Sequence, residues 1–216
     1  MMAVAFSRHL VASPLQVAAA LRCLVAGDAV SLRLVDQAGC DMLLAAEAGL
    51  PVRRSRPVQT TGGATVMQDF WICWPPPADT PFHPAADAIE ALVNEGLALG
   101  DPPLCAPLRL SDRVVQRYPV GSAGIGFHRD HIRYERLILI LLLKGKGRFR
   151  IAEDRAGSAA NDVPLGPGEA VLMRAPGFPG DRKRPFHAVD NIVEERVIFS
   201  LRHDARADRP EYLERT

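Results

Sequence analysis

Residues 126–131 read GFHRDH and combine two kinds of metal-binding side chain within a few positions. In an extended strand, side chains two positions apart point to the same side. His128 and Asp130 can therefore direct an imidazole and a carboxylate at one point, while Arg129 and His131 face away. Two such ligands are part of the 2-His-1-carboxylate set that holds non-heme Fe(II) and leaves coordination positions open. A polar surface strand gives the same His-x-Asp pattern, so both interpretations stay open for the pair alone.

His187 is the candidate third ligand, although a histidine in an apolar strand is also commonly a buried core residue. Arg196 favours the ligand interpretation because it follows on what we predict to be the next strand. Asp190 and Asn191 are turn-forming residues, so we expect the chain to reverse there and to place His187 and Arg196 on neighbouring antiparallel strands.

Arg196 and Arg202 share one face of a predicted strand. Burying a guanidinium without an anion costs free energy, and a guanidinium pairs with a carboxylate in bidentate fashion. An anionic co-substrate that chelates the metal with one end and meets an arginine with the other satisfies both demands. A surface ion pair between Arg196 and Glu194 is the alternative. Gln116 and Tyr118 share a face of another predicted strand and can face the same pocket.

The stretch from about Asp112 to Arg202 resembles the Fe(II)/2-oxoglutarate-dependent dioxygenases, and most closely their AlkB-like branch. The pattern of that branch is N-x-Y-x-x-G, then H-x-D, a distal histidine and R-x-x-x-x-x-R. The matching residues are Tyr118, Gly121, His128, Asp130, His187, Arg196 and Arg202. Gln116 departs from the pattern, because it stands where the family has asparagine; its amide offers the same hydrogen-bonding groups on a longer side chain.

The resemblance implies a double-stranded β-helix (jelly-roll) core and a set of cofactors and co-substrates: Fe(II), 2-oxoglutarate and O2. It assigns the iron to three ligands, His128, Asp130 and His187. It also implies that 2-oxoglutarate chelates the iron through its keto acid end. Arg196 and Tyr118 then bind the far carboxylate, with Gln116 able to hydrogen-bond the co-substrate, and Arg202 lies near the iron-bound end. The implied reaction is hydroxylation or oxidative demethylation of a substrate carbon.

The composition is that of a globular protein, with 48% hydrophobic and 24% charged residues, and its 18 prolines and 17 glycines indicate many turns and a β-rich fold. We predict one α+β, mainly β, domain over residues 1–216. Residues 1–111 form helical support and a substrate-lid region, residues 112–202 form the jelly-roll catalytic core, and residues 203–216 form a tail that frays.

The hydrophobic pattern places helices and strands along this domain. The predicted helices begin at Ser13-Pro14 and stop at Gly27, cover Asp41 to Ala48, and cover Pro84 to Leu99 with His83 as a loop or cap residue. Residues 53–57 and 60–63 are predicted to be polar loops, and residues 66–74 a strand. Leu137 to Leu143 is apolar on both faces and is predicted to be a central, covered strand that ends at a Gly145–Gly147 hairpin.

The net charge of +1 gives no general electrostatic reason to bind nucleic acid or an anionic membrane. A small-molecule substrate is therefore favoured. An AlkB-like nucleic-acid demethylase is one alternative, and a non-catalytic cupin-like binding protein is another. The demethylase requires a basic surface built from two patches, Arg53, Arg54, Arg56 and Arg182, Lys183, Arg184.

The sequence holds no run of roughly 18 to 20 apolar residues of the kind that spans a membrane. Its four scattered cysteines, Cys23, Cys40, Cys73 and Cys105, are predicted to be reduced thiols. We therefore expect a cytoplasmic protein without a membrane partner, for which a monomer and a homodimer both stay open.

Overall fold

The computed structural model describes residues 6–61, 64–180 and 184–208. The helices are α1 (Pro14–Ala26), α2 (Gln37–Glu47) and α3 (Phe82–Ala98), and a 3-10 helix covers Ala205–Asp208. The strands are β1 (Ala29–Arg33), β2 (Arg53–Arg54), β3 (Val58–Thr61), β4 (Ala64–Asp69), β5 (Trp71–Cys73), β6 (Asp112–Tyr118), β7 (Gly124–His128), β8 (Tyr134–Ala152), β9 (Asn161–Asp162), β10 (Glu169–Arg174) and β11 (Phe186–Asp204). The prediction of an α+β, mainly β, fold is confirmed.

The main sheet is antiparallel and has the strand order β1-β10-β8-β11-β6-β5-β2, while β7 pairs with both β11 and β4. Its two faces bury two different apolar clusters. The odd-numbered leucines of β8, from Leu137 to Leu143, pack with the helices in one cluster, and Ile138, Ile140 and Leu142 belong to the other. The central strand is covered on both faces, as its sequence predicts.

Side-chain caps set where α1 and α2 begin. The Ser13 hydroxyl accepts from the Gln16 amide, and the Gln16 side chain accepts from the Ser13 amide at 2.8 Å, a reciprocal capping box. Asp36 accepts from the Gly39 amide at 2.7 Å. Because Asp36 acts as an N-cap rather than a turn residue, α2 begins at Gln37, before the predicted Asp41.

Two glycine- or asparagine-containing turns that the sequence predicts are instead irregularities within long strands. β8 continues through Gly145, whose φ of +86° lies in the left-handed region, and a Cβ there would lie 1.9 Å from the Glu195 carbonyl oxygen. β11 likewise continues through Asn191, at φ +51°, with a register shift between Asp190 and Glu194. Both hairpin predictions are wrong, because β-bulges use the same residues as turns do.

Other boundaries also differ from the predictions. Arg53 and Arg54 form β2, and residues 58–61 form β3, so the polar loop prediction is wrong there; Gly62 and Gly63 lie outside the described residues. His83 lies within α3. β11 extends past residue 202 to Asp204, and His203 is fully buried, so the chain does not fray there. No helix in the described part of the chain is long and apolar enough to cross a membrane.

Candidate active site

The pairing of β7 with β11 places His128 directly opposite His187. The centroids of the two imidazole rings lie 4.2 Å apart. Asp130 follows the end of β7, and its Oδ1 lies 3.7 Å from Nε2 of His128 and 3.9 Å from Nε2 of His187. One ligand atom from each of the three residues lies within 4.8 Å of the others, so the three side chains can surround a single metal ion.

Both imidazoles are oriented by backbone carbonyls. Nδ1 of His128 donates to the Gly126 carbonyl at 2.9 Å, and Nδ1 of His187 makes a longer contact of 3.5 Å with the Pro185 carbonyl. Because a carbonyl oxygen only accepts, Nδ1 of each ring is the donor in these contacts, and Nε2 is the nitrogen that faces Asp130. Burial, followed by the neighbouring His128, lowers the pKa of His187 to about 3, so His187 is neutral near pH 7.

A chain of polar contacts holds the carboxylate of Asp130. Arg202 donates from Nε to Oδ2 of Asp130 at 2.9 Å and from Nη1 to Asp112 at 3.0 Å. Trp74 donates its indole N–H to the other oxygen of Asp112 at 2.9 Å. Burial alone would raise the pKa of Asp130, but Arg202 and the two histidines hold it well below its usual value. The carboxylate is therefore charged and fixed in direction.

A cavity of about 700 Å³ opens beside these three residues. Val114, Gln116 and Tyr118 line it from β6, and Ile198, Ser200 and Arg202 line it from β11. The shared strand faces that the sequence predicts are thus observed. The 64–74 region supplies a further wall, formed by Val66, Gln68, Phe70, Ile72 and Trp74.

Arg196 lies opposite Tyr118 in the β6–β11 pairing, and its guanidinium carbon lies 5.5 Å from the centre of the Tyr118 ring. Its side chain is fully buried, and none of its three guanidinium nitrogens has a hydrogen-bond partner among the described residues. Burial lowers the pKa of Arg196 to about 10, against the opposing effect of Tyr118, so it stays charged near pH 7. Arg196 is not among the described residues that line the cavity, whereas Tyr118, which it contacts, is.

Several further residues line the cavity that the alternation of side chains along the predicted strands did not place there. Arg129 lines it and packs on Phe186, although it was predicted to face away, because β7 ends at His128 and strict alternation ends with it. His131 also lines it. Asp112 and Trp74 carry no metal-binding motif, and only the fold brings Asp112 to Arg202 and Trp74 to Asp112.

The two predicted basic patches differ in their placement. Arg184 lines the cavity, and Arg182 and Lys183 lie outside the described residues. Arg53, Arg54 and Arg56 are not among the described residues that line it, and Arg54 instead pairs with Asp69.

The donor set fits a metal and an anionic co-substrate. Two imidazole nitrogens and one carboxylate are a ligand set that suits non-heme Fe(II). The buried guanidinium of Arg196 lacks an acceptor, and a carboxylate supplied by a bound molecule would provide one. Tyr118, whose pKa burial raises to about 12, keeps its hydroxyl proton and can donate to the same group.

No protein-family model matches the sequence, and no curated protein sequence matches it. Solved structures do match it in fold. A prolyl-4-hydroxylase of Pseudomonas putida is 18% identical, with 88% of this chain and 99% of that chain covered and a TM-score of 0.58. A 2OG-Fe(II) oxygenase family oxidoreductase of Burkholderia pseudomallei is 15% identical over 90% of this chain and 92% of that chain, with a TM-score of 0.61.

The structure of OsALKBH1 also matches, at 15% identity over 82% of this chain and 98% of that chain, with a TM-score of 0.57. At these identities the likeness concerns the arrangement of helices and strands, and it covers most of each chain. The protein has the fold of the solved 2-oxoglutarate, Fe(II) oxygenases.

Proposed function

We propose that this protein is an Fe(II)- and 2-oxoglutarate-dependent dioxygenase that hydroxylates or oxidatively demethylates a small organic molecule. The proposal includes a single domain over residues 1–216 with a double-stranded β-helix core. The observation that carries it is the convergence of His128, Asp130 and His187, whose ligand atoms lie within 4.8 Å of one another beside a cavity. The likeness in fold to solved oxygenases supports it.

Each site residue has a role that follows from its surroundings. Nε2 of His128, the Asp130 carboxylate and Nε2 of His187 would hold the iron. Arg202 keeps Asp130 ionised and oriented through its 2.9 Å hydrogen bond. When bound, Fe(II) with 2-oxoglutarate and O2 would supply the oxidation of a substrate carbon, with succinate and CO2 as the other products.

The far carboxylate of 2-oxoglutarate would meet Arg196 and the Tyr118 hydroxyl. Among the described residues none accepts a hydrogen bond from the buried guanidinium of Arg196, which favours an anion there. Gln116 is 9% exposed and lines the cavity from the same strand face as Tyr118, so it borders the space that a co-substrate would occupy. Apolar side chains from β4 and β5 would exclude water from the reacting carbon.

A small-molecule substrate agrees with the size of the cavity, since drug-sized ligands occupy sites of roughly 300 to 1,000 Å³. The near-neutral net charge of +1 also disfavours a polyanionic partner bound by the whole surface. The cavity residues do not include Arg53, Arg54 or Arg56.

The test is release of succinate from 2-oxoglutarate by the purified protein, with Fe(II) present, in air and under anaerobic conditions. We expect release that requires both O2 and Fe(II) and that rises with a true substrate. His187→Ala should abolish it while the unfolding temperature stays near that of the wild type. His83→Ala is the matched control, because His83 lies in α3 and contacts the Pro76 carbonyl and Arg113. A protein that binds 2-oxoglutarate without turnover would instead be a binding protein with this fold.

A further inference from the structure

Three arginines that line the cavity lie on or close in sequence to Phe186. The guanidinium carbon of Arg129 lies 4.1 Å from the centre of the Phe186 ring, and that of Arg155 lies 5.6 Å from it. Arg184 is two residues before Phe186 and lines the same cavity. Arg129 and Arg155 are exposed and Arg184 is half-buried, so the group is open to a molecule that enters from solvent.

None of these three arginines forms an ion pair with a carboxylate in the described part of the chain. Arg155 donates to the backbone carbonyls of Thr65 and Phe127, at 3.2 and 3.3 Å. Arg184 donates to the backbone carbonyl of Asp130 at 2.9 Å. Backbone carbonyls orient a guanidinium without cancelling its charge, so these arginines are held in place as cations.

The other arginines of the cavity are neutralised. Arg202 pairs with Asp130 and Asp112, and Arg133 lies 3.2 Å from Asp204. Asp130 is the one carboxylate among the described residues that line the cavity, and Arg202 already occupies it. The Phe186 side of the cavity therefore has an excess of positive charge.

This positive group adjoins the candidate metal ligands. Arg129 lies between His128 and Asp130 in the chain, and Phe186 immediately precedes His187. The arginines, Phe186 and the candidate iron ligands line the same cavity, so a molecule with its anionic group among the arginines would have its remaining atoms in the space that the ligands border. The Phe186 ring offers an apolar contact to those atoms.

We infer that Arg129, Arg155 and Arg184 form a binding site for an anionic group, a carboxylate or a phosphate, on a small-molecule substrate. That the bound molecule is a substrate rests on the proposed function, but the binding of an anion at these arginines does not require turnover. The site is separate from the Arg196 region assigned to 2-oxoglutarate. In such a substrate, a few covalent bonds separate the reacting carbon from the anionic group.

Binding of matched aromatic probes to the metal-free protein tests the site. Phenyl phosphate and benzoate carry the two anionic groups, and benzamide is the neutral control; each is titrated by calorimetry. We expect at least one anion to bind about tenfold more tightly than benzamide, the effect of about 1.4 kcal/mol from one charge-assisted hydrogen bond. Preference for phenyl phosphate indicates a phosphorylated substrate, and preference for benzoate a carboxylic acid.

The variant Arg129→Gln/Arg155→Gln/Arg184→Gln should lose this preference and keep the wild-type affinity for 2-oxoglutarate measured with Fe(II) in the absence of O2. Arg22→Gln/Arg53→Gln/Arg56→Gln is the matched control, since it removes the same charge from exposed arginines that do not line the cavity. Unfolding temperatures of both variants show whether each is folded.

Equal affinity for benzamide and the anions, no saturable binding of either anion, or equal loss in both variants would overturn the anion site. Binding of a single-stranded oligonucleotide without binding of either small anion would also overturn the site for a small-molecule substrate. Absence of succinate release from a protein that still prefers anions would overturn the proposed enzyme and leave the anion site standing, so the two failures are distinguishable.

Discussion

Arg202 donates its Nε–H to Oδ2 of Asp130 at 2.9 Å, so the candidate metal-binding carboxylate is also half of an ion pair that solvent barely reaches. The same guanidinium donates to Asp112, which accepts in turn from the Trp74 indole. The Asp130 oxygen that faces the two histidines is Oδ1, and the one that faces Arg202 is Oδ2. Orientation of the carboxylate thus depends on residues that do not bind the metal.

Asp112→Asn tests this dependence. The substitution removes the negative charge of Asp112, with which Arg202 pairs, so that Arg202 can turn away from Asp130. We expect an affinity for Fe(II), or a rate of succinate release, that is lower by about tenfold, the usual scale for loss of a residue behind a metal ligand.

Asp87→Asn is the control for that measurement. Asp87 pairs with Arg113 at 2.6 Å, its side chain is 53% exposed, and it is not among the described residues that line the cavity. A surface ion pair contributes little, so both quantities should stay at the wild-type value. An equal loss in the two variants would remove Asp112 from the positioning of Asp130.

Arg196→Met should have opposite effects on stability and on co-substrate binding. Replacement of an unpaired buried cation by an apolar side chain should raise the free energy of unfolding of the metal-free protein by about 1 kcal/mol or more. The same change should raise the KM for 2-oxoglutarate by about tenfold or more, because a charge-assisted hydrogen bond is lost. Chemical denaturation and succinate release measure the two effects.

Arg117→Met provides the contrast for Arg196→Met. Arg117 donates from Nε to the buried carboxylate of Glu47 at 2.7 Å, and the substitution leaves Glu47 without that partner. We expect lower stability and an unchanged KM for 2-oxoglutarate. A stable Arg196→Met protein with the wild-type KM would exclude Arg196 from the co-substrate site.

His187 makes the metal-free protein sensitive to acid. Its pKa is about 3 in the folded protein, against roughly 6.5 in an unfolded chain. Between these values the unfolded chain binds a proton that the folded protein does not, so stability falls as pH is lowered from about 6.5 toward 3. We expect the wild type to lose about 2 kcal/mol more than His187→Gln between pH 7 and pH 5, by urea denaturation. Equal losses would show that His187 is not buried in its neutral form.

The sequence was sufficient to predict the residues that alternate along regular strands. Gln116 and Tyr118 on β6 and Arg202 on β11 line the cavity as their spacing predicts. Alternation fixes which face a side chain occupies as long as the strand stays regular.

Prediction failed where strands end or bulge. Arg129 lies past the end of β7, and Asn191 turns β11 without reversing it, so His187 and Arg196 share one strand. A bulge and a hairpin require the same backbone conformations, and the partner strand decides between them. The contacts of Asp112 with Trp74 and Arg202 arise only when distant segments pack together, which no local pattern encodes.

The central claim is that His128, Asp130 and His187 together hold one Fe(II). Anaerobic equilibrium dialysis of the purified protein against Fe(II) tests it most directly, with His128→Ala, Asp130→Ala, His187→Ala and the control His83→Ala measured beside the wild type. We predict one Fe(II) per chain for the wild type and for His83→Ala, and a dissociation constant at least about tenfold higher for each of the other three. One tightly bound Fe(II) in folded His187→Ala, or none in the wild type, would contradict the claim.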